Sequence, residues 1–308
     1  MAISKTLQTE LNTVFMRIKK REVFETASTT DLKDKLDEAI LIAAIGKCVE
    51  LNVLINNRRL SKENGFLFLA NLRGVAEDLI VLQFLAKMPN HHRLEYITLI
   101  QSQNLHKGLL TQVRFFEANN PFQAVAGGDA SKLEELSTED RDKLRAFWRT
   151  LGEPKRDGPS VRDMAERTGL VQTYEYIYFL SSNFVHFNPH TLMRTGWGPE
   201  EGPFRFSVHN FSGYYADLAS FYGAVLFVGF FFRLGNGHFS PKCSNDVDRI
   251  LEIIDAAPRW PEIVTFEEMN RKPPMLGFLA RAMRKVAQDD DPNVAYGAIL
   301  REIRAVSQ

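Results

Sequence analysis

Long stretches of helical periodicity constrain the fold of this chain more than any other feature. Three of them follow one another, at residues 31–60, 64–89 and 91–119. The first begins with Asp31 as a candidate N-cap and carries apolar residues near one face from Leu36 to Leu54. The second ends at Pro89, whose ring cannot continue a helix. Because no pair of alternating β-branched runs is joined by an Asn-Gly or Asp-Gly turn, we predict an all-α protein.

A polar stretch at residues 119–158 interrupts this apolar pattern. We expect it to be a surface excursion, the most mobile part of the chain, with one amphipathic helix near residues 138–151. Order resumes where Ser160 and Asp163 have the spacing of a capping box. Three further helices are predicted, at residues 170–187, at residues 211–238 and after Ser244.

Two C-terminal segments, 275–288 and 292–308, are amphipathic and moderately basic. They are expected to dock on the preceding helices, although pairing with another subunit or binding a partner would suit the same pattern. The predicted fold is therefore a multi-helix bundle with an apolar central helix and amphipathic C-terminal helices. Its predicted parts are a helical bundle domain at 1–257, including the excursion, and a C-terminal helical appendage at 258–308.

Charge and cysteine content narrow the function classes. The 308 residues include 38 basic and 38 acidic side chains, and the sequence pI is about 7.1. Such a balance gives no general reason to bind nucleic acid or an anionic membrane, although it allows a local basic patch. Cys48 and Cys243 are too few for a disulfide framework. With no secretory signal at the N-terminus, we expect a cytoplasmic protein with reduced, buried thiols.

The apolar segment at 211–238 raises the question of a membrane span. Its charge-free run, from Leu218 to Phe232, is shorter than the roughly 20 residues that a span requires. Asp217 and Arg233 bracket it closely. We therefore predict a buried core helix and no membrane association. Recovery of the protein without detergent distinguishes the two alternatives.

Arg73 and Glu77 break the expected pattern of the second long helix. On a helical wheel of about 100° per residue they fall on the apolar stripe, away from the polar residues Asn71 and Asp78. Their i,i+4 spacing allows a salt bridge. Because an ion pair within an apolar stripe is costly to desolvate, we expect a second polar group opposite it.

The helix at 170–187 offers that second group. Glu175, Tyr178, Ser182 and His186 follow one another on one face at spacings of three and four. Two interpretations stay open: this stripe meets Arg73 and Glu77 in the interior or in a cleft, or it faces water. We predict a buried polar cluster of five residues: Arg73, Glu77, Tyr178, Ser182 and His186.

Other chemistry finds little support in the sequence. A site of two histidines and one carboxylate, from His186, His190 and Glu77, has suitable metal ligands. However, Asn188 precedes Pro189, which disfavours helical geometry between the two histidines. A phosphate-binding glycine loop, a nucleophile elbow and an H-E-x-x-H motif are all absent from the sequence. We predict no metal and no cofactor.

The combination of Arg73-x3-Glu77, the sequence "AERTGL", Tyr178-x3-Ser182-x3-His186 and a following proline resembles a bacterial domain family of unknown function. The resemblance covers residues 50–236 and implies an all-helical bundle without an established activity. Some members of that family lie near defence genes, so the resemblance also suggests a defence role.

A second resemblance is to the HEPN superfamily of helical bundles, many of them metal-independent ribonucleases. Their signature places an arginine four to six residues before a histidine, whereas Ser181, Ser182 and Asn183 precede His186 here. Arg73 is the candidate to supply the guanidinium from a neighbouring helix. Arg233-x4-His238 matches the spacing, but two glycines between them indicate a helix end.

Two functions follow from these patterns. The first is a binding or structural module in which the five-residue cluster is a polar network that fixes helix register. The second is an enzyme acting on RNA or on a small phosphate ligand, with His186 as general acid/base and Arg73 as phosphate clamp. Glu77 would orient Arg73, and Tyr178 and Ser182 would bond substrate or water. The HEPN resemblance adds a homodimer to this second hypothesis.

Overall fold

The computed structural model describes most of the chain up to Ile263. The described residues are 5–21, 36–120, 122–123, 129–185, 191–192, 195–197, 205–235, 241–257 and 259–263. Asp31, His186, His190 and His238 therefore lie outside the described residues. The same holds for the predicted helices at 275–288 and 292–308, and so for most of the predicted appendage.

The prediction of an all-α bundle is confirmed. The helices are α1 (Lys5–Arg21), α2 (Leu36–Asn56), α3 (Arg58–Ala86), α4 (Asn90–Asn119), α5 (Ala130–Thr150), α6 (Val161–Thr168), α7 (Val171–Val185), α8 (Ser212–Phe230) and α9 (Pro241–Asp255). A π-helical turn, Phe231–Gly235, extends α8. Two-residue strands, β1 (Gly196–Trp197) and β2 (Arg205–Phe206), pair antiparallel between α7 and α8. The sequence pattern predicted no strand there.

The first predicted helix is two helices, because the chain breaks at Asn57. This residue has extended backbone angles (φ −72°, ψ 108°), and its side chain accepts the backbone N–H groups of Arg59 and Leu60. An asparagine at this position satisfies orphan donors at the start of α3, which stabilises a new helix start within an otherwise apolar run. The expected single helix over 31–60 was therefore wrong at its C-terminal end.

The apolar helix α8 lies at the centre of the bundle, as predicted. α3 crosses its first turns closely at Gly65, where an added Cβ would stand 2.2 Å from the carbonyl oxygen of Ser212. On the other side, an edge-to-face ring contact joins Phe227 of α8 to Phe15 of α1. By length and composition alone α8 could cross a membrane, and 78% of its apolar window is buried inside the protein.

The polar excursion holds a longer helix than predicted. α5 begins at Ala130, where Asp129 caps it by accepting the N–H groups of Ser131 and Lys132. It packs on α4 to form a helical hairpin, and Leu110, Val113 and Leu133 form a small apolar cluster separate from the main core. The expected helix near 138–151 was thus too short, because the stretch from Asp129 is polar on its outer face only.

The capping box is confirmed at the start of α6. Ser160 accepts the N–H of Asp163, and the carboxylate of Asp163 accepts the N–H of Ser160 in return. Both cysteines are buried, also as predicted.

Candidate functional site

Helices α3 and α7 form the candidate site, and they pack antiparallel to each other. The ring of Phe66 near the start of α3 packs edge-on against Phe184 near the end of α7, with centroids 4.8 Å apart. Two turns further along α3, Arg73 contacts Tyr178, which lies earlier in α7. The antiparallel arrangement brings together the two polar stripes expected from the sequence.

Glu77 and Tyr178 both contact Arg73. Its Nε donates to Oε1 of Glu77 at 2.8 Å, the i,i+4 pair expected from the spacing. Its Cζ lies 4.5 Å from the ring centroid of Tyr178, within the range of a cation–π contact. This hydrogen bond to Glu77 raises the pKa of the Arg73 guanidinium above its ordinary value. The side chain is thus a permanent cation with a defined orientation.

Two tyrosine rings form the α7 side of the site. Tyr174 and Tyr178 are one turn apart, with ring centroids at 5.3 Å. Burial raises the pKa of the Tyr174 hydroxyl. Tyr174 therefore stays neutral at physiological pH and offers a hydroxyl group beside the cation.

The cluster is half-buried, and in this respect the prediction of a buried network was wrong. The side chains of Arg73 and Glu77 are 28% and 32% exposed, and Tyr178 is 36% exposed. The centre of the buried face of α3 is occupied by Leu69, Leu72 and Ala76. Arg73 and Glu77 lie at the margin of that face, where Tyr178 of α7 covers part of Arg73.

Ser182 and His186 were expected to complete the cluster. Ser182 is half-buried one turn after Tyr178. Among the described residues, no hydrogen bond joins Ser182 to Arg73, Glu77 or Tyr178. His186 and His190 fall outside the described residues, so the position of His186 and the two-histidine metal hypothesis stay predictions.

Glu175, expected on the same stripe, is instead exposed on the outer side of α7. It accepts a hydrogen bond from Nη2 of Arg162 at 2.9 Å, and the two side chains are 53% and 59% exposed. This pair lies outside the α3–α7 contact.

A second ion pair, missed by the sequence reasoning, lies on the other side of α3. Nζ of Lys47 on α2 bonds Oδ2 of Asp78 at 2.7 Å. The same ammonium would stand 3.3 Å from a Cβ added at Gly74. Gly74 therefore separates two cations, Arg73 toward α7 and Lys47 toward α2. The proximity of Gly74 and Asp78 on the helical wheel was visible in the sequence, but the approach of Lys47 depends on how α2 packs.

Another polar cluster that the sequence reasoning missed joins α4 to α5. The buried carboxylate of Asp140 accepts Oγ–H of Ser102 at 3.0 Å and contacts Nδ1 of His106 at 2.6 Å. The i,i+4 spacing of Ser102 and His106 was the available signal, but their acceptor lies on a different helix. Since the carboxylate stands between the hydroxyl and the imidazole, the order needed for a serine nucleophile is not present.

A pocket of about 280 Å³ is lined by residues of the same hairpin and of the loop that precedes α6. Its lining includes Tyr96, Gln103, Trp148 and Arg145. Nε of Arg145 donates to Asp157 at 2.6 Å, and this hydrogen bond raises the pKa of the guanidinium. Asp157 and Asp142 both pair with this arginine, and a second arginine, Arg141, also lines the pocket.

The described residues contain no group of three metal-ligating side chains. Burial raises the pKa of the Cys48 thiol far above neutrality, so this cysteine is not a thiolate nucleophile. Arg233 lies in the π-helical turn and donates to the backbone oxygen of Thr168 at 3.1 Å.

Comparison with known proteins places these helices in a family. Searches of curated proteins and of solved structures gave no match. A family model matches residues 39–202, which span α2 to β1 and include Arg73, Glu77 and Tyr178. The chain belongs to the family of unknown function DUF5677.

Proposed function

We propose that this protein is a non-catalytic binding module whose α3–α7 surface recognises an anionic group, either a phosphate or a carboxylate. The observation that carries the proposal is Arg73: Glu77 and Tyr178 hold its side chain, yet 28% of it remains exposed. The proposal applies to the surface formed by Arg73, Glu77 and Tyr178, which we call the Arg73 surface.

An arginine suits this role because its planar guanidinium carries five N–H donors in a fixed fork that matches phosphate and carboxylate groups. In the Arg73 surface, Nε–H is bonded to Glu77 and one face of the guanidinium lies over Tyr178. Less side-chain entropy is then lost when a ligand binds, which favours affinity.

The exposure of the cluster argues against a purely structural role. Half-exposed ion pairs contribute about 0–1 kcal/mol to folding stability, too little to account for two charges beside an apolar stripe. Lys47 adds a second cation on the far side of Gly74, where it is paired with Asp78.

The direct test is anion binding, measured by calorimetry or by NMR chemical-shift changes with inorganic phosphate, AMP and acetate as probes. We expect Arg73→Ala to weaken binding at least tenfold and Arg73→Lys to weaken it less, because lysine keeps the charge but not the fork. Arg162→Ala is the matched control, since Arg162 is also bonded to a glutamate but stands outside the Arg73 surface. Equal binding by wild type and Arg73→Ala would overturn the proposal.

The ribonuclease hypothesis is the second candidate. One observation favours this hypothesis: Arg73 contacts α7 at Tyr178, eight residues before His186 in the sequence. On this hypothesis, wild-type protein cleaves RNA and His186→Ala abolishes cleavage without lowering the melting temperature. If wild type leaves several RNAs intact, the binding module remains.

A further inference from the structure

The outer face of α4, opposite α5, is exposed and uncharged over most of its length. One line of exposed side chains runs along it with alternating spacings of four and three residues: Gln101, Leu105, Gly108, Gln112, Phe115 and Asn119. Four further exposed residues flank this line and are also uncharged: Thr98, Asn104, Thr111 and Ala118. In a chain with 25% charged residues, an exposed helix face without charge is unusual and favours contact with another helix.

The three exposed charged residues of this part of α4 lie beside the uncharged face or toward α5. They are Lys107, Arg114 and Glu117, and Arg114 is bonded to Glu134 of α5 at 2.7 Å. A helix that approaches the outer face therefore meets no charge in its path. Two copies of the face can also approach each other without like-charge repulsion.

Two apolar side chains stand out on this face. Leu105 is 56% exposed and Phe115 is 60% exposed, ten residues apart along the line. Between them, Gly108 has no atom within 4 Å of the position where a Cβ would stand. A glycine inside an exposed helix costs about 1 kcal/mol relative to alanine, and open space above it permits close approach of a second backbone.

We infer that this face binds a second copy of the same chain, antiparallel, about a two-fold axis that crosses α4 at the level of residue 110. The axis lies on the side of α4 away from the Leu110 side chain, which packs toward α5. The line of residues is self-complementary about that point. Leu105 and Phe115 are each five residues from Leu110, Gly108 and Gln112 are each two away, and Gln101 and Asn119 are each nine away. A two-fold contact requires that if residue i meets residue j, then j meets i.

This pairing gives each residue a suitable neighbour. Leu105 of one copy faces Phe115 of the other, so both apolar side chains are covered. The long side chain of Gln112 faces the open space at Gly108, and the amides of Gln101 and Asn119 face each other, where they can exchange hydrogen bonds. Heptad-like spacing keeps the contact line straight over about 27 Å of helix.

The oligomeric state tests the inference first. Sedimentation or light scattering is expected to give a mass of about twice 35.1 kDa for the wild-type chain. Leu105→Glu and Phe115→Glu should each give the monomer mass and keep the helical circular dichroism spectrum of the folded chain, because both positions are exposed. Their melting temperatures should fall only by the stabilisation that dimerisation supplied. Leu67→Glu on α3 is the matched control, since Leu67 is 55% exposed. A wild-type monomer at roughly 100 µM, or dissociation by Leu67→Glu alone, would overturn the inference.

Disulfide trapping tests the orientation. The double variant Leu105→Cys/Phe115→Cys should form an intermolecular disulfide upon mild oxidation, and neither single variant should. Cross-linking of the single variant Leu105→Cys would indicate a parallel contact and would contradict the antiparallel arrangement. The native cysteines are buried and provide no background.

Discussion

The guanidinium of Arg73 lies over the ring of Tyr178, with 4.5 Å between Cζ and the ring centroid. This contact joins α3 to α7 at the edge of the core, where Glu77 holds the same arginine from one turn further along α3. It is therefore a local arrangement of a cation, a carboxylate and an aromatic face, partly open to solvent. Its contribution to stability can therefore be measured separately from the anion binding that we propose for it.

We expect Tyr178→Leu to lower the free energy of unfolding by about 1 kcal/mol or less. The reason is that a cation–π contact at an exposed site contributes about 0.5–1 kcal/mol, and leucine keeps most of the apolar contact. Denaturant unfolding measures this effect. Anion binding by the same variant should weaken several-fold, because Arg73 loses the surface that orients it. A loss of several kcal/mol in stability would show that the cluster is a structural network after all.

Gly65 and Gly74 are both in α3, and alanine should have opposite effects at the two positions. At Gly65 the added Cβ would stand 2.2 Å from the backbone oxygen of Ser212 and 2.9 Å from the backbone nitrogen of Ala216. Since backbone must move, Gly65→Ala should destabilise by about 1–3 kcal/mol or more. At Gly74 only the flexible end of Lys47 is near, so Gly74→Ala should stabilise by about 0.5–1 kcal/mol. Thermal unfolding of both variants checks the sign, and destabilisation by Gly74→Ala would contradict it.

Asp140 connects the α4–α5 hairpin through its buried carboxylate. Asp140→Ala removes the acceptor of Ser102 and the partner of His106, and we expect a cost of about 1–3 kcal/mol. Asp142→Ala is the control two residues away, because that side chain is 62% exposed and pairs with Arg145 on its own helix. Its expected effect is within about 0.5 kcal/mol. Hydrogen exchange in α5 would show whether the loss is confined to the hairpin.

A feature of the fold could be predicted from the sequence where the residues that cause it lie within one helical turn of each other. Pro89 and the Ser160–Asp163 capping box act within one turn, and both were identified correctly. Asn57 was missed because an asparagine is compatible with an exposed helix position as well as with a cap. These two outcomes differ only in the backbone angles of Asn57.

The candidate site shows the same limit at the level of packing. The i,i+4 pair of Arg73 and Glu77 was visible as a spacing, whereas its half-exposure depends on which side of α3 is covered by α7. Lys47 approaches Gly74 from α2, and Ser102 donates a hydrogen bond to Asp140, which lies 38 residues further along the chain on α5. Such partners are set by tertiary packing, and the periodicity of one helix carries no information about which residues of other helices pack against it.

Helix α8 leads to a prediction about solubility. Because 78% of its apolar window is covered by other parts of the protein, the helix has little surface left for lipid. We expect the full chain to stay in the supernatant after high-speed centrifugation of a lysate without detergent. Extraction that requires detergent would instead show that the bundle opens and that α8 inserts.

The ion pair between Glu153 and Arg167 should make the stability of the fold depend on pH. Both of its oxygens accept hydrogen bonds from Arg167, at 2.7 Å and 3.0 Å, while the carboxylate side chain is only 5% exposed. The hydrogen bonds from Arg167 lower the pKa of Glu153 below its ordinary value near 4.5. The folded state therefore favours the charged carboxylate. The stability contributed by the pair is fully present above the unfolded pKa and is lost as pH falls through the folded pKa.

The measurement is the difference in melting temperature between wild type and Glu153→Gln across a pH series. Wild type should be the more stable protein from pH 7 down to about 5, and the difference should shrink as the pH falls below about 4. Glu139→Gln is the control, because Glu139 forms an exposed i,i+4 pair with Lys143 on the surface of α5. If the difference in melting temperature between wild type and Glu153→Gln is the same at every pH, the variant acts through the packing of the amide. The ion pair with Arg167 would then not govern the acid sensitivity of the loop before α6.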